Sequence, residues 1–334
     1  MTPDRRRTTR LVLACSAVLA LAACGGGDGN SGEPTGTLKL GITDAPVDVA
    51  DAVVVQFSGV ELKPKGGAPF TVDFVDDAGQ PAARTIDLYP LTGTQREILL
   101  EGEEIPAGEY EWMRLKVDAA PSVIDTYIGI GGGQCELLVP SGAETGLKVN
   151  RGFTIGVGAI TDLTVDFDLR KSIVEPPGQS SDPETGGGQA YFLKPVLRVV
   201  DQLEVGTITG HVEPLPEGCA AGTPPYPGNV YLYGPYTDVA LSVDDYDGVD
   251  SDGANPITSA RVDSTTFDYT IGFVPAGKYV IAYTCSPDST QVDADTDVGT
   301  VDVPDEQVEF QPADGLQLEL APNETKTVNF PAPL

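Results

Sequence analysis

The sequence predicts an all-β protein built as two antiparallel β-sandwich domains behind a leader and a flexible tether. Three observations predict it. Apolar and polar residues alternate with period two along most of the chain after residue 37. Glycine (39) and proline (28) are frequent between the alternating runs. The long Ala, Leu, Lys and Glu runs of helical proteins are missing beyond the leader. Hydrophobic residues make up 40% of the 334, enough for packed cores.

The leader comes first. Residues 1–10 carry Arg5, Arg6, Arg7 and Arg10, and residues 11–23 read LVLACSAVLALAA. A basic start followed by a short apolar stretch is the order of a secretory signal. The apolar stretch is shorter than the roughly 20 residues that span a bilayer. Leu21-Ala22-Ala23-Cys24 resembles the bacterial lipobox. Residues 1–23 are therefore expected to be cut away, and the Cys24 thiol to be lipidated, with palmitate among the acyl chains. More than one chain, as the resemblance implies, makes anchoring stable. Residues 24–36, CGGGDGNSGEPTG, read as a flexible tether. Gly25 follows the cysteine, whereas Asp there would favour the inner membrane, so the outer membrane is expected.

The first domain is expected over 37–203. Leu38, Leu40 and Ile42 alternate with Thr37, Lys39 and Gly41, and Val53, Val55 and Phe57 alternate with Val54, Gln56 and Ser58. Met113, Leu115 and Val117 face one way and Trp112, Arg114 and Lys116 the other. Leu163, Val165, Phe167 and Leu169 alternate with Thr164, Asp166, Asp168 and Arg170. Each pattern is that of a half-buried strand. The stretch 176–190 reads as a surface loop, and YFLKPVLRVV after it as the closing strand, which puts the boundary near 202–206. The second domain is expected over 205–334, from GTITGHVEP through NVYLYGP and FDYTIGFVPAGKYVIAYTC to TKTVNF. EIPAGEYEWMRLKV (104–117) and FVPAGKYVIAYTC (273–285) echo each other: Pro-Ala-Gly turns the chain and Tyr opens the next strand.

Net charge is −30, and removal of the leader, itself +3, brings it near −33. Such a surface repels nucleic acid. Of five cysteines, Cys15 leaves with the leader and Cys24 is acylated, which leaves three in an oxidising compartment. Cys219 and Cys285 share one domain and are expected to pair, with Cys135 left over. One histidine, His211, and no Cys-x-x-Cys argue against zinc.

Between 37 and 201 the chain resembles a bacterial family known as domain of unknown function 4382. The resemblance is carried by GITDAPVDVADAVVVQFSGVEL (41–62), TIDLYPLTG (85–93), IPAGEYEWMRLKV (105–117), LKVNRGFTI (147–155), LTVDFDLRKSIV (163–174) and YFLKPVLRVVD (191–201). It implies a lipoprotein with no assigned activity. The second unit is similar to transthyretin-like or carboxypeptidase-regulatory-like sandwiches, on GHV (210–212) and the Val-Pro-Ala-Gly-x-Tyr turn (274–279). That likeness implies an accessory or binding module, of immunoglobulin-like or transthyretin-like architecture.

Candidate chemistry is sparse. Asp244, Asp245, Asp247, Asp250 and Asp252 crowd one loop, and Asp293, Asp295 and Asp297 another. Two readings stay open: a calcium site, since Ca²⁺ takes six to eight oxygen ligands, or solvated loops. Neither loop is an EF-hand. Asp44, before Ala-Pro, reads as a turn former whose side chain caps the backbone. Asp166 and Asp168, near Arg170 and Lys171, read as structural charge pairs. Tyr231 and Tyr233 share a strand face near Tyr226 and Tyr236, and either stack on sugars or fill the sandwich. No nucleophile elbow, metalloprotease or nucleotide motif is present, and His211 reads as an ordinary strand residue. The expectation is a non-enzymatic binding or structural module with no required cofactor, attached to the bilayer and meeting an envelope protein or glycan. Alternatives are a carbohydrate-binding surface module and a hydrolase of envelope polymers.

Overall fold

A computed structural model of the chain describes residues 33–45, 50–119, 124–139, 146–174, 191–194, 196–215, 219, 227–238, 240–243, 255–285 and 310–331. In chain order the strands are β1 (Thr35–Ala45), β2 (Ala52–Pro64), β3 (Phe70–Asp73), β4 (Arg84–Asp87), β5 (Glu97–Pro106), β6 (Gly108–Asp118), β7 (Tyr127–Ile130) and β8 (Gly133–Leu138). They continue as β9 (Leu147–Val149), β10 (Phe153–Ile155) and β11 (Ile160–Asp168), then one helical turn, α1 (Leu169–Ser172), then β12 (Ile173–Val174), β13 (Tyr191–Leu193) and β14 (Leu197–Asp201). The remainder are β15 (Val205–His211), β16 (Asn229–Tyr236), β17 (Thr258–Arg261), β18 (Asp268–Pro275), β19 (Gly277–Thr284), β20 (Gln311–Leu320) and β21 (Thr325–Thr327). The protein is all-β, as the alternating patterns require.

The strands up to β14 form two sheets. One has four strands in the order β14-β11-β1-β5, and the other has ten along the path β10-β6-β2-β7-β8-β13-β12. Their inner faces enclose a single apolar cluster. Leu38, Leu40 and Ile42 of β1 and Val53, Val55 and Phe57 of β2 are fully buried in it, and Phe57 meets Phe167 of β11 edge to face at 6.4 Å. Strands β15 to β21 form a second pair, β18-β15-β21 and β17-β16-β19-β20. Ile208, Ile271, Val230, Leu232, Ile281 and Leu320 meet between those two sheets. Pairing is mostly antiparallel, with three parallel exceptions, β1 with β11, β8 with β13 and β15 with β21. These partners are far apart in sequence, so no hairpin dictates their direction.

Two local expectations change. YFLKPVLRVV is not one strand: β13 joins the ten-stranded sheet and β14 the four-stranded one. The sequence places Pro195 between them, and proline has no N–H for a ladder. The polar face of β11 is buried as well, with Thr164 0% and Asp166 6% exposed. The reason is that residues of the second pair of sheets lie over it. Lys171 Nζ donates to the Pro256 carbonyl at 2.5 Å, and Arg261 donates to the Tyr89 hydroxyl at 3.0 Å. Thr43, Asp44 and Asp166 line a small pocket together with Thr258, Ser259 and Thr270.

Candidate functional site

Cys24 and both aspartate clusters, Asp244 to Asp252 and Asp293 to Asp297, lie outside the described residues, as do Tyr226 and the stretch 176–190. Cys219 and Cys285 are joined by a disulfide, with Cα atoms 5.5 Å apart. Cys135 is a free, buried thiol, and burial pushes its pKa up.

The remaining candidates resolve into structural roles. Asp166 pairs with Arg198 (Nε to Oδ2, 2.5 Å) and Asp168 with Lys171 (3.1 Å). Burial raises the Asp166 carboxyl, against the opposing pull of Arg198. Asp168 caps α1 by accepting from Lys171 N. Asp44 also accepts from a backbone N–H, but that of Leu169 at 3.3 Å, 125 residues away. It therefore ties β1 to α1; the Ala-Pro turn expected after it runs into residues 46–49, outside the described residues. Tyr231 and Tyr233 are both fully buried. Their rings meet Phe310 edge to face at 5.7 and 6.3 Å, and Leu241 and Val243 pack on the same patch. The two tyrosines lie on the face of β16 opposite the core between the sheets, in a separate apolar cluster that Phe310 covers. Tyr236 alone among the described members of that group is half-exposed, its hydroxyl donating to Gln317 at 3.2 Å.

His211 sits on β15 with Nδ1 2.9 Å from Asp268 and Nε2 3.0 Å from Glu213. Hydrogen bonding to Glu213, then to Asp268, raises its pKa. Both ring nitrogens are thus engaged by carboxylates, which favours the charged form of the ring. A groove of about 350 Å³ opens where the two pairs of sheets meet, lined by Arg96, Gln202 and Glu324 among others. Its guanidinium is already committed, bidentate to Asp162 at 2.8 and 3.0 Å and to Thr164 at 3.0 Å.

The exposed constellation lies elsewhere, on the outer face of β2, β6 and β9. Registers place Lys63 opposite Trp112, Glu61 opposite Arg114, and Arg114 opposite Lys148. The Arg114 guanidinium lies 4.9 Å, and the Lys148 ammonium 4.6 Å, from the Trp112 ring centroid. Arg114 also pairs with Glu61 at 2.6 Å and Lys116 with Asp73 at 3.2 Å. Trp112 is the chain's single tryptophan and is half-buried, and Lys148 is exposed. Among the described residues, four of the sixteen Lys and Arg that follow residue 10 gather here, against two carboxylates. The alternation in β6 signalled that Trp112, Arg114 and Lys116 point outwards. That Lys63 and Lys148 join them depends on strand register, which one strand's pattern does not contain.

Comparison with curated proteins gives no match. Among solved structures, the TIE protein of Bacillus anthracis is 12% identical at a TM-score of 0.19, covering 89% of this chain and 34% of its own. The minor pilin GBS52 of Streptococcus agalactiae is 10% identical at 0.18, covering 87% of this chain and 94% of its own. The major pilin subunit BcpA of Bacillus cereus is 12% identical at 0.19, covering 88% and 99%. This chain thus spans about a third of the TIE protein, and at such TM-scores none of these likenesses bears on fold or role. The likeness carried by the sequence motifs has firmer support: residues 35–195 match the family model described as a domain of unknown function, DUF4382.

Proposed function

We propose that the protein is a non-enzymatic binding module of the bacterial envelope, held at the outer membrane by acyl chains on Cys24. The Trp112 face carries the binding part of this reading. A half-buried aromatic ring flanked by two cations lies on the outer face of a rigid sheet, the arrangement that recognition surfaces use. The anchoring part is supported by Leu21-Ala22-Ala23-Cys24 and by residues 24–36, a Gly-rich run long enough to hold the sheets clear of a membrane surface. The alternative of a carbohydrate-binding surface module is favoured by the same ring, since flat apolar ligands stack on exposed aromatics. The second unit is taken as transthyretin-like on GHV (210–212) and the turn at 274–279.

Replacing Cys24 with Ala tests the anchor. Cells fed labelled palmitate should mark the wild-type protein and not Cys24→Ala, and the variant should leave the membrane fraction. Retained label on the variant would defeat the anchor assignment.

A further inference from the structure

We propose that the outer face of β2, β6 and β9 binds a carboxylated polysaccharide, with Trp112 as the surface for a sugar ring and Lys63, Arg114 and Lys148 as partners for its carboxylates. The proposal rests on the binding-module reading and names what the module binds.

Charge complementarity selects the ligand. The chain carries −30 overall, yet among the described residues this face presents four cations to two carboxylates; the two outside ion pairs are Lys63, which donates to the Gly67 carbonyl, and Lys148, over the indole. At physiological salt, charges more than about 8 Å away are largely screened, so a ligand in contact with the face meets the local positive charge. A neutral polymer has no use for those cations. An acidic polypeptide pairs with them but brings no flat apolar face for the indole. A pyranose bearing a carboxylate supplies both. Exposed lysine–ring contacts are weak. Lys148 can therefore swing off the indole as the sugar arrives and keep its ammonium beside the carboxylate. Arg114, held by Glu61 at 2.6 Å with its guanidinium 4.9 Å from the indole centroid, stays fixed and sets the register.

The chain's single tryptophan makes the test direct, since intrinsic tryptophan fluorescence reports Trp112 alone. The mature lipoprotein in detergent is titrated at 0.15 M NaCl with polygalacturonate, with neutral dextran and with poly-glutamate. Mobility is then followed in gels containing each polymer. Polygalacturonate should shift the emission saturably and retard the protein, and the other two should do neither. Lys63→Glu/Lys148→Glu, whose melting should match wild type, should weaken binding at least tenfold, and Trp112→Ala should abolish retardation. Unchanged emission and mobility with polygalacturonate overturn the proposal. Equal retardation by poly-glutamate overturns the choice of a glycan, and full binding by the double variant overturns the choice of face. A photo-crosslinking residue at position 148 in intact cells separates the two levels. A crosslinked envelope partner without polyuronate binding keeps the module and removes this ligand class.

Discussion

His211 gathers two carboxylate contacts on a single side chain. Both ring nitrogens face carboxylates, Asp268 at 2.9 Å and Glu213 at 3.0 Å, so the charged imidazolium is favoured and its pKa rises above 6.5. A raised folded pKa means that the stabilisation is fully present below the unfolded value and fades as pH rises through the folded one. An NMR titration should place the His211 midpoint above 6.5. Glu213→Gln and Asp268→Asn should each lower it, since the hydrogen bonds to Glu213 and Asp268 are the two largest causes of the rise. A midpoint at or below 6.5 would contradict this arrangement. The buried tyrosines mark the other pH limit: burial pushes the Tyr283 hydroxyl up to about 12.

At the scale of elements, the Pro-Ala-Gly-x-Tyr echo has a common structural purpose. In the first half β5 ends at Pro106 and β6 begins at Gly108; in the second, β18 ends at Pro275 and β19 begins at Gly277. Each step carries the chain from one sheet of its sandwich to the other. The tyrosine then locks the corner, Tyr110 Oη donating to the Pro106 carbonyl and Tyr279 Oη to the Pro275 carbonyl, both at 2.7 Å. Gly108 has φ +147°, which favours glycine. Tyr110→Phe and Tyr279→Phe each remove one hydrogen bond and leave a partly buried carbonyl without it. Each should cost about 1 kcal/mol or slightly more in urea unfolding. Two silent substitutions would show that the corner is held by packing, such as the Tyr110–Phe153 stack at 4.9 Å. Elsewhere β5 lines the border of its sheet with exposed Glu101, Glu103 and Glu104, charges that discourage edge-to-edge pairing.

At the scale of the molecule, Glu33–Leu334 cluster as one unit, while the apolar interior falls into separate clusters on either side of residue 204. Where the halves meet, backbone lies on backbone: a Cβ at Gly272 would stand 2.1 Å from the Gly93 carbonyl oxygen. Val200, Val205 and Phe273 form a small apolar contact across the chain's passage from β14 to β15. Residues 37–203 and 205–334 should each fold alone with β-rich circular dichroism, since each has its own core. Each should melt a few degrees below the full chain, because Thr43, Asp44, Thr164 and Asp166 lose their cover. Gly272→Ala should lower the melt of the full chain by about 2–4 °C and leave the isolated second fragment nearly unaffected. Fragments that are unfolded apart and folded together would refute the division. The Cys219–Cys285 bridge adds, in the chain-entropy model, about 4 kcal/mol to the second half.

By itself the sequence determined the fold class and the inward faces of β1, β2, β6 and β11, which follow from period-two alternation, a property of short stretches of chain. Three cysteines remained to pair, and the expectation of Cys219 with Cys285, from their shared domain, is met in the structure. Only the tertiary structure decided the rest. Thr164 and Asp166 sit at polar-face positions of a legible strand, yet the second half buries them. Tyr231 and Tyr233 alternate with core residues as surface rings would, yet Phe310, about 80 residues on, covers both. Asp44 precedes Ala-Pro, and its carboxylate also reaches the backbone of Leu169, 125 residues on. The Trp112 face exists because three strands distant in sequence share a register. Alternation says which way a side chain points from its own strand. What it meets there is set by strand order, register and the packing of one sheet on another, which no local pattern encodes.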